Sequence, residues 1–384
     1  MIEITDKSKC TGCTACKSAC PESCIKMEED SEGFLYPKVN EKLCIGCEVC
    51  KKVCPVINNY PKNVVEKAYS AKSKDKGIQS ISSSGGVFYS IATEYIENSS
   101  IFAAAFDDDL VLRHSEISSS GELIKYVGSK YLQSDLGETF FAVEKRLKEE
   151  KFVVFVGTPC QVAGLKSFLK KDYPNLLTVD FICHGVPSPL AFKKYLCYIS
   201  NNQLDNIKSV SFRDKTHGWE NFSFRVNYKD GNSTIIGKSQ DLYLRAFFDS
   251  VFLRPSCYNC RFKSLNKYSD LTLADFWGVK KKNDSLYDEN GVSVVLVNSK
   301  VGERAFEICS KKMTCSEISI EDVKSSNSAL LSSAKPSNMR NFFFKKINKL
   351  SIEKNLSECL NPSIKTRIEL KVLRSSKYGK EKQY

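Results

Sequence analysis

Two near-copies of one cysteine phrase fill the first fifty-five residues. The first is Cys10-Thr-Gly-Cys13-Thr-Ala-Cys16-Lys-Ser-Ala-Cys20-Pro21, and the second is Cys44-Ile-Gly-Cys47-Glu-Val-Cys50-Lys-Lys-Val-Cys54-Pro55. Both read C-x2-C-x2-C-x3-C-P. Three thiolates so close in the chain can wrap three corners of one iron–sulfur cube. The fourth, after a longer gap, reaches the other cube instead. The spacing therefore predicts Cys10, Cys13, Cys16 and Cys54 on one [4Fe-4S] cluster and Cys44, Cys47, Cys50 and Cys20 on a second. The chemistry is one-electron transfer. Structural zinc is the competing reading, but zinc favours two separated pairs over an unbroken triplet.

That spacing is the one found in bacterial two-cluster ferredoxins. Each proline ends the short helix that carries a fourth ligand, because it has no N–H to extend the ladder. Cys24 falls outside the pattern and reads as a small buried filler. Between the phrases, residues 33–39 read as a short strand.

Four further cysteines invite a second question. Cys257-Tyr-Asn-Cys260 is a C-x2-C pair flanked by Arg254, Arg261 and Lys263. Cys160 and Cys183 follow consecutive strands of one βαβ passage: strand 151–156, turn 157–160, helix 161–171, strand 176–182. Ligands of such sheets gather at strand C-terminal ends. Four thiols from three loops can hold another [4Fe-4S] cluster, form a redox disulfide, bind zinc, or simply pack. Cys197, Cys309, Cys315 and Cys359 show no partner pattern.

The supporting elements alternate. Residues 67–73 pattern as a strand. A serine run, Ser80–Ser84, leads through Gly85 and Gly86 into an amphipathic helix with Val87, Ile91 and Tyr95 on one face. Residues 101–106 and 110–114 read as paired strands, 136–150 as a helix, and 207–236 as a small antiparallel sheet. Residues 240–250 read as helical, and 271–274 and 292–298 as strands. This is an α+β/α/β chain, with a two-cluster ferredoxin domain at 1–60, an α/β domain at 67–335 and a basic helical tail at 336–384.

The 384 residues carry 17 cysteines and a net charge of +12. From Arg340 onward, twelve Lys/Arg face four Asp/Glu, a net of +8. A solvated basic helix is the plain reading. Asn341–Leu350 sets aromatic bulk beside lysines, which would also suit contact with an anionic membrane surface or an acidic partner. No nucleic-acid-binding module accompanies the charge, so no nucleic-acid partner is expected. The start shows no signal-peptide pattern and no apolar run spans a membrane, so a reducing cytoplasm is expected.

The chain resembles the coenzyme F420 hydrogenase/dehydrogenase beta-subunit family, whose bacterial members carry a fused N-terminal ferredoxin. The resemblance rests on seven ordered phrases: Ser83-Ser-Gly-Gly86, Val127-Gly-Ser-Lys-Tyr-Leu-Gln-Ser134, Gly157-Thr-Pro-Cys-Gln-Val-Ala-Gly164, Asp180-Phe-Ile-Cys-His-Gly-Val-Pro-Ser188, Ser211-Phe-Arg-Asp-Lys215, Arg254-Pro-Ser-Cys-Tyr-Asn-Cys260 and Ser269-Asp-Leu-Thr-Leu-Ala-Asp-Phe-Trp-Gly278. It implies an FAD-binding domain and a third [4Fe-4S] cluster on Cys160, Cys183, Cys257 and Cys260. It implies FAD contacts from Ser84, Gly85, Gly86, Ser129, Lys130, Tyr131, Gln133, Ser134, Thr158 and Arg213. His184, Lys130 and Lys215 are the candidate catalytic groups. Asp270 and Asp275 are expected to orient basic neighbours. A soluble ferredoxin or similar redox partner would exchange electrons with a small organic acceptor or donor. Deazaflavin F420 and a sugar-related compound of polysaccharide synthesis are candidates. The alternative is an electron-transfer subunit serving a partner enzyme, with no substrate of its own.

Overall fold

The computed structural model describes residues 1–367 and residue 370. Apolar β-branched and aromatic runs supply the central layer. Phe152–Val156, Leu176–Phe181 and Ser293–Val297 are almost wholly buried, as strands covered on both faces must be. They belong to an eight-stranded mixed sheet. Four parallel neighbours form its centre: Ser99–Phe106, Phe152–Val156, Leu176–Phe181 and Leu271–Asp275. Leu112–Glu116 extends one side antiparallel. Ser293–Val297, Lys67–Ser73 and Met313–Glu317 extend the other.

The predicted βαβ passage is present, with one shift. Its helix spans Pro159–Leu169, so Cys160 lies in the first helical turn and not in the preceding turn. Pro159 is pre-set for a first helical position, and Thr158 and Gln161 close a reciprocal capping box. The three-stranded sheet Ile207–Asp214, Ser223–Tyr228 and Ser233–Gly237 also forms as expected.

The N-terminal unit packs onto this body. Its hairpin, Ile25–Glu29 with Leu35–Val39, meets the helix Pro189–Ile199, where Ser188 Oγ donates to Glu32 O at 2.5 Å. Lys17 pairs with Glu138. Cys13, Ala15, Val53 and Val56 share an apolar core with Phe140, Val143, Val162 and Phe168. The segment between the two domains also pairs, Asn63–Val64 against Asn266–Lys267.

The membrane-facing reading of residues 341–350 is not supported by the packing. Phe342, Phe343 and Ile347 are buried, together with Ile352 and Leu356, in a core shared with Tyr195, Leu196, Leu244 and Phe247. Their apolar surface serves the interior, and residues 340–360 close the body instead of trailing from it. The remainder of the basic tail, 368–384 apart from residue 370, lies outside the described residues. Among the described residues no helix is long and apolar enough to cross a membrane.

Candidate functional site

Three small cysteine-lined cavities and one large cavity follow one another through the molecule. Cys20, Cys44, Cys47 and Cys50 line the outermost, and Cys47 is exposed there. Cys10, Cys13, Cys16 and Cys54 line the next. These are the two sets that the spacing predicted. Cys24 is buried, as read from the sequence, and it also lines the outermost cavity, with its Sγ 3.3 Å from that of Cys20. The tertiary neighbour, not the spacing, reveals this.

Cys160, Cys183, Cys257 and Cys260 line the third cavity. Thr11 lines both this cavity and the second. Cys13 also packs on the helix that carries Cys160: a Cβ on Gly164 would fall 3.0 Å from Cys13 Sγ. In each case the thiols ring a space, which suits a cube whose irons sit at separate corners. Burial pushes the thiols of Cys13, Cys183 and Cys257 up to about 12, and that of Cys160 higher. Such a thiol gives up its proton when a metal takes the proton's place.

The large cavity, about 790 Å³, opens beyond the third. It lies well within the roughly 300–1,000 Å³ range of small-molecule sites. Cys183 and His184 line both cavities and form the wall between them. His184 Nε2 is 3.1 Å from Ser250 Oγ, and its ring meets Phe247 edge-on. Burial, and next the charge of Lys263, lower its pKa.

Most residues expected at the FAD site line this cavity: Ser84, Gly86, Ser129, Lys130, Tyr131, Ser134, Thr158 and Arg213. Gly86 caps the helix Val87–Tyr95, which starts at the cavity wall. Lys130 Nζ donates to Tyr126 O at 2.6 Å and Val127 O at 3.1 Å, and burial brings its pKa down to about 7. Arg213 is held through its two terminal nitrogens. It forks onto Asp275 at 3.0 Å twice, donates to Tyr131 Oη and Ser83 O, and lies 4.2 Å from the Phe222 ring centre. Asp275 thus orients a basic neighbour as expected. Asp270 instead accepts from Thr178 and Ser299, tying two strands to the loop that follows Ser293–Val297.

Three sequence expectations place differently. Gly85 does not line the cavity; it is pressed against Ala71 O, and its N–H donates to Ser293 Oγ at 2.9 Å. Gln133 turns away, donating to Thr11 O and accepting from Arg254, and so belongs to the seam with the N-terminal unit. Lys215 is a strut: its ammonium donates to the carbonyls of Gln79, Ser84 and Asn290. Its donors are engaged there, and it does not line the cavity.

Two residues were missed. His114 and Asp180 line the cavity and are buried. His114 Nε2 lies 3.0 Å from Val156 O, leaving Nδ1 without a partner. Asp180 Oδ1 accepts from Thr272 Oγ1 at 2.5 Å, leaving Oδ2 without one. Ser82 Oγ and Arg213 Nε, on the same lining, are likewise unpartnered. Buried polar atoms are normally satisfied, so this grouping fits a polar occupant. The sequence signal for His114 was its inward place in the alternating strand Leu112–Glu116.

The family model for the C-terminal part of the coenzyme F420 hydrogenase/dehydrogenase beta chain matches residues 150–323, and that for the 4Fe-4S dicluster domain matches residues 9–58. Among solved structures, the F420-reducing [NiFe] hydrogenase complex from Methanosarcina barkeri, studied by xenon derivatization, is similar to this chain. That alignment has a TM-score of 0.47 and 20% identity, covering 78% of this chain and 94% of the other. A search of the curated proteins gives no match. Residues 150–323 thus match the coenzyme F420 hydrogenase/dehydrogenase beta-subunit family, behind an N-terminal 4Fe-4S dicluster domain that accounts for two [4Fe-4S] clusters.

Proposed function

We propose that this iron–sulfur protein is a flavin-dependent oxidoreductase that exchanges electrons between a soluble redox partner and a small organic acceptor or donor. In this reading Cys160, Cys183, Cys257 and Cys260 hold a third [4Fe-4S] cluster, and the large cavity holds FAD. When bound, the clusters supply single electrons and the flavin pairs them for hydride transfer.

One observation carries the reading. The third cysteine ring touches the second through Thr11 and the large cavity through Cys183 and His184. The protein's own groups have definable tasks around that path. Cys47 and its exposed neighbours Leu43 and Ile45 present the outermost cavity to a partner. The start of the helix Val87–Tyr95 offers backbone N–H groups to an anionic group. Lys130, with a pKa of about 7, can hold or release a proton at Nζ near neutral pH. His184 offers a second protonic group on the wall shared with the cysteines. Phe222, Phe248 and Lys238 line the large cavity as well, giving a planar or anionic compound aromatic and cationic contacts.

Oxygen-free purification tests this. About twelve irons and one FAD per chain are expected for three clusters and one flavin. About eight irons would remove the third cluster, and absence of flavin would remove hydride transfer. Reoxidation of the isolated reduced protein by an added organic compound is expected. Reoxidation only by a second protein would favour the electron-transfer subunit.

A further inference from the structure

The two cysteine phrases are near-copies, but their surroundings differ by one buried charge. Arg254 is fully buried at the seam between the N-terminal unit and the body. Its Nε donates to Cys10 O at 2.7 Å, and Nη2 reaches Cys10 Sγ at 3.6 Å and Leu35 O at 2.9 Å. Nη1 donates to Gln133 Oε1 at 3.0 Å, and the guanidinium lies over the Tyr36 ring at 4.2 Å. None of these partners is a carboxylate. A buried cation needs compensating negative charge, and an arginine cannot shed its proton to avoid the cost.

The equivalent glycines show the asymmetry directly. A Cβ on Gly12 would fall 2.9 Å from Arg254 Nη1, whereas one on Gly46 would meet nothing within 4 Å. The outermost cavity is lined by no Lys or Arg, and by Glu22 and Glu48. Iron–sulfur potentials respond to net charge and to hydrogen bonds on the sulfurs. A cation fixed beside a ligand sulfur favours the reduced, more negative state.

We infer that Arg254 is the counter-ion of the inner dicluster site, the one ringed by Cys10, Cys13, Cys16 and Cys54, and that it raises that site's reduction potential above that of its outer near-copy. An electron given to the dicluster domain therefore partitions inward. What the outer site loses the inner gains, and no bond is made or broken. Arg254 acts through Cys10 and is a positioning residue. The proposal rests on the two clusters of residues 9–58 and needs neither FAD nor the third cluster. If the third ring also binds a cluster, Arg254, Lys263 and Lys267 on its lining continue the bias in the same direction.

The test is a redox titration of the full-length protein followed by electron paramagnetic resonance, with iron counted in every sample. Wild type is expected to show two separated dicluster midpoints. Arg254→Gln should lower the higher one and leave the other in place, while Arg254→Lys, which keeps the charge, should hold it nearer the wild-type value. Unchanged midpoints in Arg254→Gln, or equal falls in Gln and Lys, overturn the counter-ion role. Should Arg254→Gln lose iron, Ile45→Arg decides from the other side. Ile45 is 65% exposed and lines the outer cavity, so a charge there should raise the lower midpoint and narrow the gap. A gap left unchanged by Ile45→Arg rejects the proposal. A wild-type count near eight irons would reject the third cluster alone and leave these midpoints readable.

Discussion

At the scale of single residues, buried titratable groups around the large cavity set opposing pH dependences. Burial holds the His114 imidazole down at about 4, against 6.5 ordinarily. The folded protein therefore refuses a proton that the unfolded chain accepts, so this stability is complete above about pH 6.5 and is lost as pH falls to about 4. Burial raises the Asp180 carboxyl to about 6, against 3.8 ordinarily. The folded protein keeps a proton that the unfolded chain releases, so that stability is complete below pH 3.8 and is lost as pH rises to about 6. Each amounts to roughly 3 kcal/mol at 1.36 kcal/mol per unit, and between pH 4 and 6 the two nearly cancel. His114→Gln should unmask a stability that falls over that range, and Asp180→Asn one that rises, in urea titrations at stepped pH. A wild-type profile in both variants would reject the assignment. Lysines with equal sequence appeal should also separate. Lys215→Met strands three carbonyls and is expected to cost about 2–4 kcal/mol in thermal unfolding, whereas Lys130→Met, on the proposed flavin reading, should act chiefly on cofactor retention and turnover.

At the scale of elements, the serine turn and the helix Val87–Tyr95 are held to the sheet by close backbone contact. A Cβ on Gly85 would lie 2.2 Å from Ala71 O and 3.0 Å from Ser293 N, both strand backbone that cannot move aside. Gly85→Ala should therefore prise the turn from the strands Lys67–Ser73 and Ser293–Val297. A loss of about 3 kcal/mol or more is expected, read by denaturation; on the proposed flavin reading, the visible spectrum should also show weaker flavin retention. Ser84, whose hydroxyl donates to Val292 O at 2.8 Å, would be displaced with it. The strand and helix positions here were legible from periodicity, because a buried strand and an amphipathic helix each impose a pattern on neighbours in the chain. The inward turn of Gln133 and the strut role of Lys215 were not, because a polar side chain carries no local record of which cavity or carbonyl it meets.

At the scale of the whole molecule, residues 340–360 and the N-terminal unit are parts of one packed body. Arg340 forks onto Glu32 of the N-terminal hairpin and also donates to Leu253 O, joining the two ends of the chain. Truncation after Ser337 removes Phe342, Phe343, Ile347 and Leu356 from the core. Several kcal/mol should be lost, since each large buried side chain contributes about 1.5–3 kcal/mol. Increased binding of a hydrophobic dye and a lower unfolding temperature are the expected readouts. A truncated protein as stable as the full chain would show the segment to be dispensable.

The order of cysteines by itself determined the iron–sulfur chemistry, because a cube's ligand spacing is a local property of the chain. The ordered phrases pointed to the family whose model matches residues 150–323, and the hydrophobic periods determined the α/β layer. Tertiary structure alone decided that Cys24 stands beside Cys20, that His114 and Asp180 share a cavity wall, and that the aromatic tail faces inward. It also decided that two look-alike cysteine phrases lie in unlike fields. Arg254 is 244 residues from Cys10 in sequence, and only folding places its charge against one phrase and not the other. Local spacing specifies what a side chain can bind; the electrostatic field around it is a sum over neighbours that the chain order does not encode.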